Sequence, residues 1–470
     1  MNPVAIVGGG ITGLTAAFRL TQRNIPVTLY EAGARVGGPI QSLKENGYLS
    51  EFGPNTILET SPKITSLIND LGLQLRRWDS NPAKNKNYIV RDGKLRALPI
   101  SPIRFAASPL FSVQAKMRLM GEPFIRRKSD DEDESLADFV VRRLGQEFLD
   151  YAINPFVTGV YAGTPEDLSV RYGFPKLKAL EDNHGSILRG AILGARERKK
   201  RAEVEKSKAK KLSFDEGLQV LPDTLEAMLH ESIALGSKVT CLRACADGWV
   251  VTVNVNGQEE QRTHSAVVLC APAHKLSQIQ IEAEQPADLS LLNELHHPPV
   301  ARITMGFRRD DVADPLDGFG FLVPKAEKLS ILGTTFSSSI FENRAPSGHV
   351  LLTTFIGGCR QPELAKEPAE KLFDLTLRDL QRVLGVRGKP TYLNHWLFPH
   401  AIPQYNVGHK RFVDFMNATE TRLPGLYFAG SYRDGISAGS CIVSGHDVAD
   451  RIARFLSASN PGPVLQATSP

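Results

Sequence analysis

Cysteine is scarce in this chain: five among 470 residues, at 241, 245, 270, 359 and 441. An odd, scattered set builds no disulfide framework and points to a reducing compartment. Cys241 and Cys245 are four apart, but no second Cys or His pair stands near them. No metal site is therefore expected, and these cysteines read as small buried residues. Long apolar runs are also missing. None is long enough to cross a bilayer, and no basic segment with a short apolar stretch and cleavage site opens the chain. The cytoplasm is the expected compartment. An excess of one charge is lacking too: the net charge is only +5. That value does not call for nucleic acid, yet it admits an anionic substrate or an anionic membrane surface. With 42% hydrophobic and 23% charged residues, disorder is excluded as the default state. The length exceeds one compact core and predicts two or three domains.

The first segment, Pro3 to Val7, is a short apolar run ended by glycines and reads as a buried parallel strand. Residues 13–23 carry Leu14, Ala17 and Leu20 at helical spacing, and Pro26 to Tyr30 forms a second strand. The chain thus opens on a βαβ unit. Further buried strands are expected at Ser265–Cys270 and at Leu426–Gly430, so a nucleotide-binding domain is assembled from separated segments. Residues 94–128 mix prolines with apolar and basic residues. A helix is predicted from Ser135, with Leu136, Phe139, Val140 and Leu144 on one face. The charge-dense run at 196–211 contains glutamates and no aromatics, and is read as a solvated segment rather than a nucleic-acid patch.

Gly8, Gly10 and Gly13 satisfy G-x-G-x-x-G, with Ile11 and Thr12 between. The string alone is weak, but here it follows a strand, opens a helix and precedes Glu31 at the end of the next strand. Glu31 lies 18 residues beyond Gly13, near the ~20 of dinucleotide folds. Gly8 permits the tight turn, Gly10 lets backbone approach a pyrophosphate, and Gly13 lets helix and strand pack. The helix N-terminus then offers free N–H groups and partial positive charge. Glu31 suits ribose hydroxyls and disfavours a 2′-phosphate. A second nucleotide fingerprint, which an NAD-dependent reductase would show, is not found.

Glu31, Ala32, Arg35, Gly37 and Gly38 resemble the extended FAD signature of the amine oxidase and protoporphyrinogen oxidase superfamily, with Pro39 where a basic residue is common. Gly53, Pro54 and Asn55 resemble its next flavin-lining segment. Thr158 to Ser169, Phe174-Pro175, His184 to Leu188, Ser213 to Leu221, Gly318 to Pro324, Ile402 to His409 and Leu426 to Cys441 continue the match, in order, to the protoporphyrinogen oxidase family. The closing segment looks like the plastid-type enzymes. Pro403-Gln404-Tyr405 and Val160-Tyr161-Ala162-Gly163 are the most specific parts.

The resemblance implies a Rossmann-type FAD-binding domain (1–85, 212–290 and 405–470), a mixed-sheet substrate domain (86–100 and 291–404) and a helical insert at 101–211. This is an α/β plus α architecture of the amine oxidase and p-hydroxybenzoate hydroxylase kind. It implies non-covalent FAD, held by the residues above together with Val239, Gly430, Ser437 and Ala438. It also implies six-electron oxidation of protoporphyrinogen IX by molecular oxygen, in three two-electron steps with hydrogen peroxide formed. Coproporphyrinogen III is the alternative substrate; the two differ in two vinyl groups against two further propionates. The catalytic position carried over is Gly159, whose carbonyl would face the pyrrole N–H groups. Phe319, Leu322, Thr335 and Phe355 would line the substrate, and Lys86 would pair with a propionate. His184 and His409 lack spacing partners and are not assigned as bases. The 94–128 stretch falls where the family has substrate-entry and membrane-docking helices, so peripheral contact with the inner face of a cell membrane is admitted, as is a homodimer. An amine oxidase, a carotenoid desaturase and a flavin-bound nucleic-acid-binding protein are the rival readings.

Overall fold

The computed structural model describes residues 1–99, 101–128, 132–200 and 209–459. Half of the charge-dense run, 201–208, lies outside the described residues.

The opening βαβ unit is present: β1 (Val4–Val7), α1 (Ile11–Thr21) and β2 (Val27–Tyr30). Every residue of β1 is buried, as expected of a strand covered on both faces. β1 is central in a five-stranded parallel sheet, flanked by β2 and by the strand Ala266–Leu269, with Ile233–Ala234 and Leu426–Phe428 at the edges. Segments far apart in sequence therefore meet in one sheet. The long helix Ala438–Ser459 packs against α1 and covers one face. The other face rests on an apolar layer that includes Val239, Val251, Val253 and Leu276.

A second, seven-stranded sheet is mixed. Its order is Tyr392–Phe398, Val300–Arg308, His349–Gly357, Ile331–Thr335, Gly320–Leu322, Asn87–Arg91 and Lys94–Ala97. Only the pairing of Gly320–Leu322 with Asn87–Arg91 is parallel. The amphipathic helix Ala369–Leu384 closes one face of this sheet through Leu372, Leu380 and Leu384. A small three-stranded sheet links Ile57–Leu58, Lys211–Phe214 and Arg77–Asp79.

Residues 101–200 are largely helical. Ser135 caps the helix Leu136–Arg143, accepting from the Asp138 N–H. Leu136, Phe139 and Val140 are buried together with Val157 and Tyr161. The reading of the cysteines is corrected: Cys241 is partly exposed and Cys245, the last residue of the strand Ser237–Cys245, is exposed.

Candidate active site

The glycine motif forms a cradle at the C-terminal end of β1. Gly8 has φ +108°, and a Cβ there would lie 2.7 Å from the Ala271 nitrogen. A Cβ on Gly13 would collide with the Gly8 carbonyl oxygen, so the helix starts hard against the turn. A Cβ on Gly10 would meet nothing within 4 Å. Helix α1 starts there with no side-chain cap and no acidic residue in its first turn. Its first N–H groups, Ile11 and Thr12 included, lack intrahelical acceptors and sit beside open space, as an anion site requires.

The other predicted cofactor residues close around this point. Glu31 accepts from the Gly9 and Gly33 N–H groups, both at 2.7 Å. These bonds shape the loop through Ala32 and leave the carboxylate further acceptor capacity. Gly37 N–H donates to the Gly9 carbonyl at 2.8 Å, and a Cβ on Gly38 would lie 3.6 Å from the Gly10 Cα. Gly53 lies directly on Pro39, and a Cβ there would strike the Pro39 carbonyl oxygen. Gly430 has φ +125° and faces the Thr12 hydroxyl, 3.6 Å from where a Cβ would be. Ser437 bonds Ser440 through its hydroxyl and precedes Ala438, the first residue of the long helix. Val239 is buried two residues beyond Ser237, whose N–H donates to the Glu31 carbonyl. Arg35 donates to the carbonyls of Val36, Gly38 and Ile40 and so braces the loop of Gly37 and Gly38.

The predicted substrate residues gather on the mixed sheet. Leu322 pairs with Gly333, Gly333 with Phe355, Phe355 with Arg302 and Arg302 with Trp396. Directly opposed residues share a face, so these five form one row across five strands. Thr335, two residues from Gly333, shares that face. Because Gly333 has no side chain, Leu322 Cδ2 can lean over it, 3.1 Å from where a Cβ would be. The helix Asn154–Tyr161 lies over one end, where a Cβ on Gly159 would collide with Leu322 Cδ2. Gly159 sits in the last turn of this helix, which breaks at Ala162 (φ +53°). Carbonyls there have no partner further along the helix.

Sequence reasoning did not single out Arg302. Its side chain is fully buried and joins the sheet to the segment of Glu51 and Phe52 that leads into Gly53. It donates to the Glu51 carbonyl at 3.0 Å and to Asn394, and stacks 4.5 Å from the Phe52 ring centroid. Burial lowers its pKa to about 10, which leaves it charged at neutral pH. Trp396 meets Phe52 edge-on at 5.0 Å. Glu51 also pairs with buried Arg344 at 3.2 Å, and Glu51, Asn55, Thr335 and Arg344 line one small cleft. An isolated arginine in an apolar strand was the available signal.

The two most specific motifs form one hydrogen-bonded unit. Gln404 Nε2 donates to the Tyr161 carbonyl at 2.7 Å. Tyr405 OH donates to the Ser431 carbonyl at 2.5 Å and accepts from the Gly435 N–H at 2.9 Å. Ile436 packs on the cluster that holds Tyr161 and Leu322. The closing glycine turn, the Gly159 helix and the mixed sheet therefore converge.

Other predicted residues stand differently. Phe319 N–H donates to the Lys86 carbonyl at 2.7 Å, at the margin of the sheet. Lys86 Nζ is half-exposed and pairs with Asp317 at 2.5 Å. His409 is buried against Tyr405, and burial lowers its pKa to about 4. His184 ends the helix Pro175–His184.

The cradle fits a dinucleotide: positive φ at the turn, open space at an uncapped helix N-terminus and a carboxylate beside it. Comparisons agree. The model of the family "Flavin containing amine oxidoreductase" matches residues 11–453. Protoporphyrinogen oxidase 2, chloroplastic/mitochondrial, of Arabidopsis thaliana is 37% identical, over 96% of this chain and 94% of its own. Coproporphyrinogen III oxidase of Bacillus subtilis is 30% identical, over 94% and 96% respectively. The crystal structure of the "Putative protoporphyrinogen oxidase from Exiguobacterium sp. 255-15" superposes with a TM-score of 0.79 at 25% identity, covering 97% of this chain and 99% of that one. With a family model spanning nearly its whole length, this chain belongs to the flavin-containing amine oxidoreductases, an oxidoreductase whose cofactor is FAD.

Proposed function

We propose that this protein oxidises a porphyrinogen in haem biosynthesis, protoporphyrinogen IX before coproporphyrinogen III, with molecular oxygen as acceptor and hydrogen peroxide as co-product. The observation that carries this reading is the row of Leu322, Gly333 and Phe355 facing the helix of Gly159, tied through Gln404 and Tyr405 to the cofactor side. A largely apolar sheet face beneath a helix glycine, with the flexible Leu322 between them, suits a slot for a flat, apolar, macrocyclic substrate. The names and identities of the Arabidopsis and Bacillus relatives support the two substrates in that order.

FAD, bound non-covalently, supplies two-electron acceptance and its own reoxidation by oxygen. Gly10, Ile11, Thr12 and Gly13 hold the pyrophosphate by backbone N–H groups, while Gly8, whose N–H bonds the Tyr30 carbonyl, makes the turn that brings them to it. Glu31 and Ala32 meet the ribose, and Val239 meets the adenine through backbone. Gly37, Gly38, Gly53, Pro54, Asn55, Gly430, Ser437 and Ala438 let backbone pass close to the cofactor, with Arg35 bracing the loop. Gly159 offers a carbonyl to the pyrrole N–H groups, where a side chain would obstruct the ring. Leu322, Phe355, Thr335 and Phe319 wall the macrocycle and exclude water. Because the walls are apolar, orientation falls to this carbonyl and to carboxylate recognition at the margin.

The parallel sheet with its covering elements forms the FAD domain, the mixed sheet forms the substrate domain, and the helices of 101–200 form the insert. Ile103, Val113, Met117, Met120 and Phe124 are largely exposed on the insert and fit shallow docking to a membrane surface. No helix among the described residues is long and apolar enough to cross a membrane.

The test is a paired assay on flavin-loaded protein in air. Porphyrin fluorescence is followed from protoporphyrinogen IX and from coproporphyrinogen III, with hydrogen peroxide counted. Faster turnover of the first is expected. Faster turnover of the second selects the alternative. No porphyrin from either defeats the proposal.

A further inference from the structure

Lys211 opens the strand Lys211–Phe214, whose Leu212 and Phe214 are fully buried. Its Nζ lies 4.4 Å from the centroid of the Phe319 ring and donates to Asn85 Oδ1. Burial lowers its pKa. The lysines around it have anions: Lys84 and Lys86 share Asp317, and Lys210 lies 3.9 Å from Asp79. No carboxylate among the described residues pairs with Lys211. An ammonium carries three donors, and Asn85 takes one. A half-buried cation with an aromatic face and a single amide as partners is incompletely compensated. Phe319 is tied to the lining sheet, since its carbonyl accepts from Phe336 N–H and its neighbour Gly320 pairs with Thr335. The ammonium is therefore held at the margin of the proposed substrate slot. Lys86, the expected propionate partner, is instead more exposed and already neutralised.

We propose that Lys211 is a substrate-binding residue whose ammonium pairs with a propionate carboxylate of the porphyrinogen, with Asn85 orienting it over Phe319. This rests on the porphyrinogen reading above.

The experiment titrates flavin-loaded protein with protoporphyrin IX and with its dimethyl ester, in the same detergent, by fluorescence quenching. Wild type should prefer the diacid. Lys211→Met should weaken diacid binding by on the order of tenfold or more, as for loss of a charge-assisted bond, and leave ester binding unchanged. Lys211→Arg should restore most of the diacid affinity. In turnover, Lys211→Met should raise KM far more than it lowers kcat. Equal loss for diacid and ester, or no loss, overturns the assignment. So does a wild type without preference between the two, a readout that stands even if Lys211→Met fails to fold. A wild type that binds neither porphyrin defeats the porphyrinogen reading itself, and is distinguished by failing before any substitution is made.

Discussion

The cradle and the slot are built by opposite strategies. The cradle is mostly local: residues 4–38 supply the turn, the helix start, the acid and the loop of Gly37 and Gly38, and its tolerances are set by backbone meeting backbone. The slot is assembled from residues 159, 302, 322, 335 and 355, and its tolerances are set by side chains. Backbone cannot yield, whereas a leucine can rotate. The cradle should therefore fail abruptly under substitution and the slot gradually.

The sharpest way to break this contrast is within the glycine motif. Gly13→Ala places a methyl against the Gly8 carbonyl oxygen, and neither atom can move without shifting β1 or α1. Overpacking against backbone should cost about 3 kcal/mol or more, with flavin absorbance lost from the purified protein and a strongly lowered Tm. Gly10→Ala meets open space at φ −68°, an ordinary backbone angle. It should fold with a Tm close to wild type, yet retain flavin poorly, because its methyl enters the path of the pyrophosphate. Full flavin content in Gly10→Ala would mean that nothing approaches that backbone.

On the slot side, Gly159→Ala sharpens the comparison. The added methyl meets the far end of Leu322, a flexible group, and alanine is favoured over glycine in a helix by about 1 kcal/mol. Thermal stability and flavin content should hold, while porphyrinogen turnover falls ten- to hundredfold as Leu322 is driven into the slot. Adding Leu322→Ala should recover part of the activity by returning the space. Unchanged turnover in the single variant would remove Gly159 from the substrate site.

The same contrast explains what could be read in advance. The βαβ unit, the strands at 266–269 and 426–428 and the helix after Ser135 were legible, because local periodicity and glycine spacing carry them. The expectation that Gly38, Gly53 and Gly430 would join Glu31 at the cofactor came from the family resemblance, not from periodicity or spacing. Arg302 was not legible: its role comes from lying between Phe355 and Trp396 in a sheet whose pairings span nearly a hundred residues. Lys211 was hidden inside a charge-dense run that suggested only a solvated segment. Lys86 was chosen by alignment, and sequence could not show that Asp317 would sit beside it.

The smallest effect concerns the seam between the two regions. His274 follows the parallel strand Ala266–Leu269, His297 precedes the mixed-sheet strand Val300–Arg308, and His400 follows Tyr392–Phe398. Their rings gather there, with His274 at 5.2 Å from His297 and 4.4 Å from His400. Burial, with the neighbouring histidines adding to it, lowers the pKa of His274 and of His297 to about 4. Each folded value lies below the ~6.5 of an unfolded histidine. Between those values the unfolded chain binds more protons, so stability is full above pH 6.5 and is lost as pH falls toward 4. Buried His297 alone should contribute about 1 kcal/mol of loss between pH 7 and 5.5 by this linkage. Thermal melts across that range should slope downward with acid in wild type and less steeply in His297→Phe. If the two slopes coincide, the seam is not what acid opens. If they diverge while flavin release lags behind unfolding of the mixed sheet, the seam yields to acid before the backbone-locked cradle does.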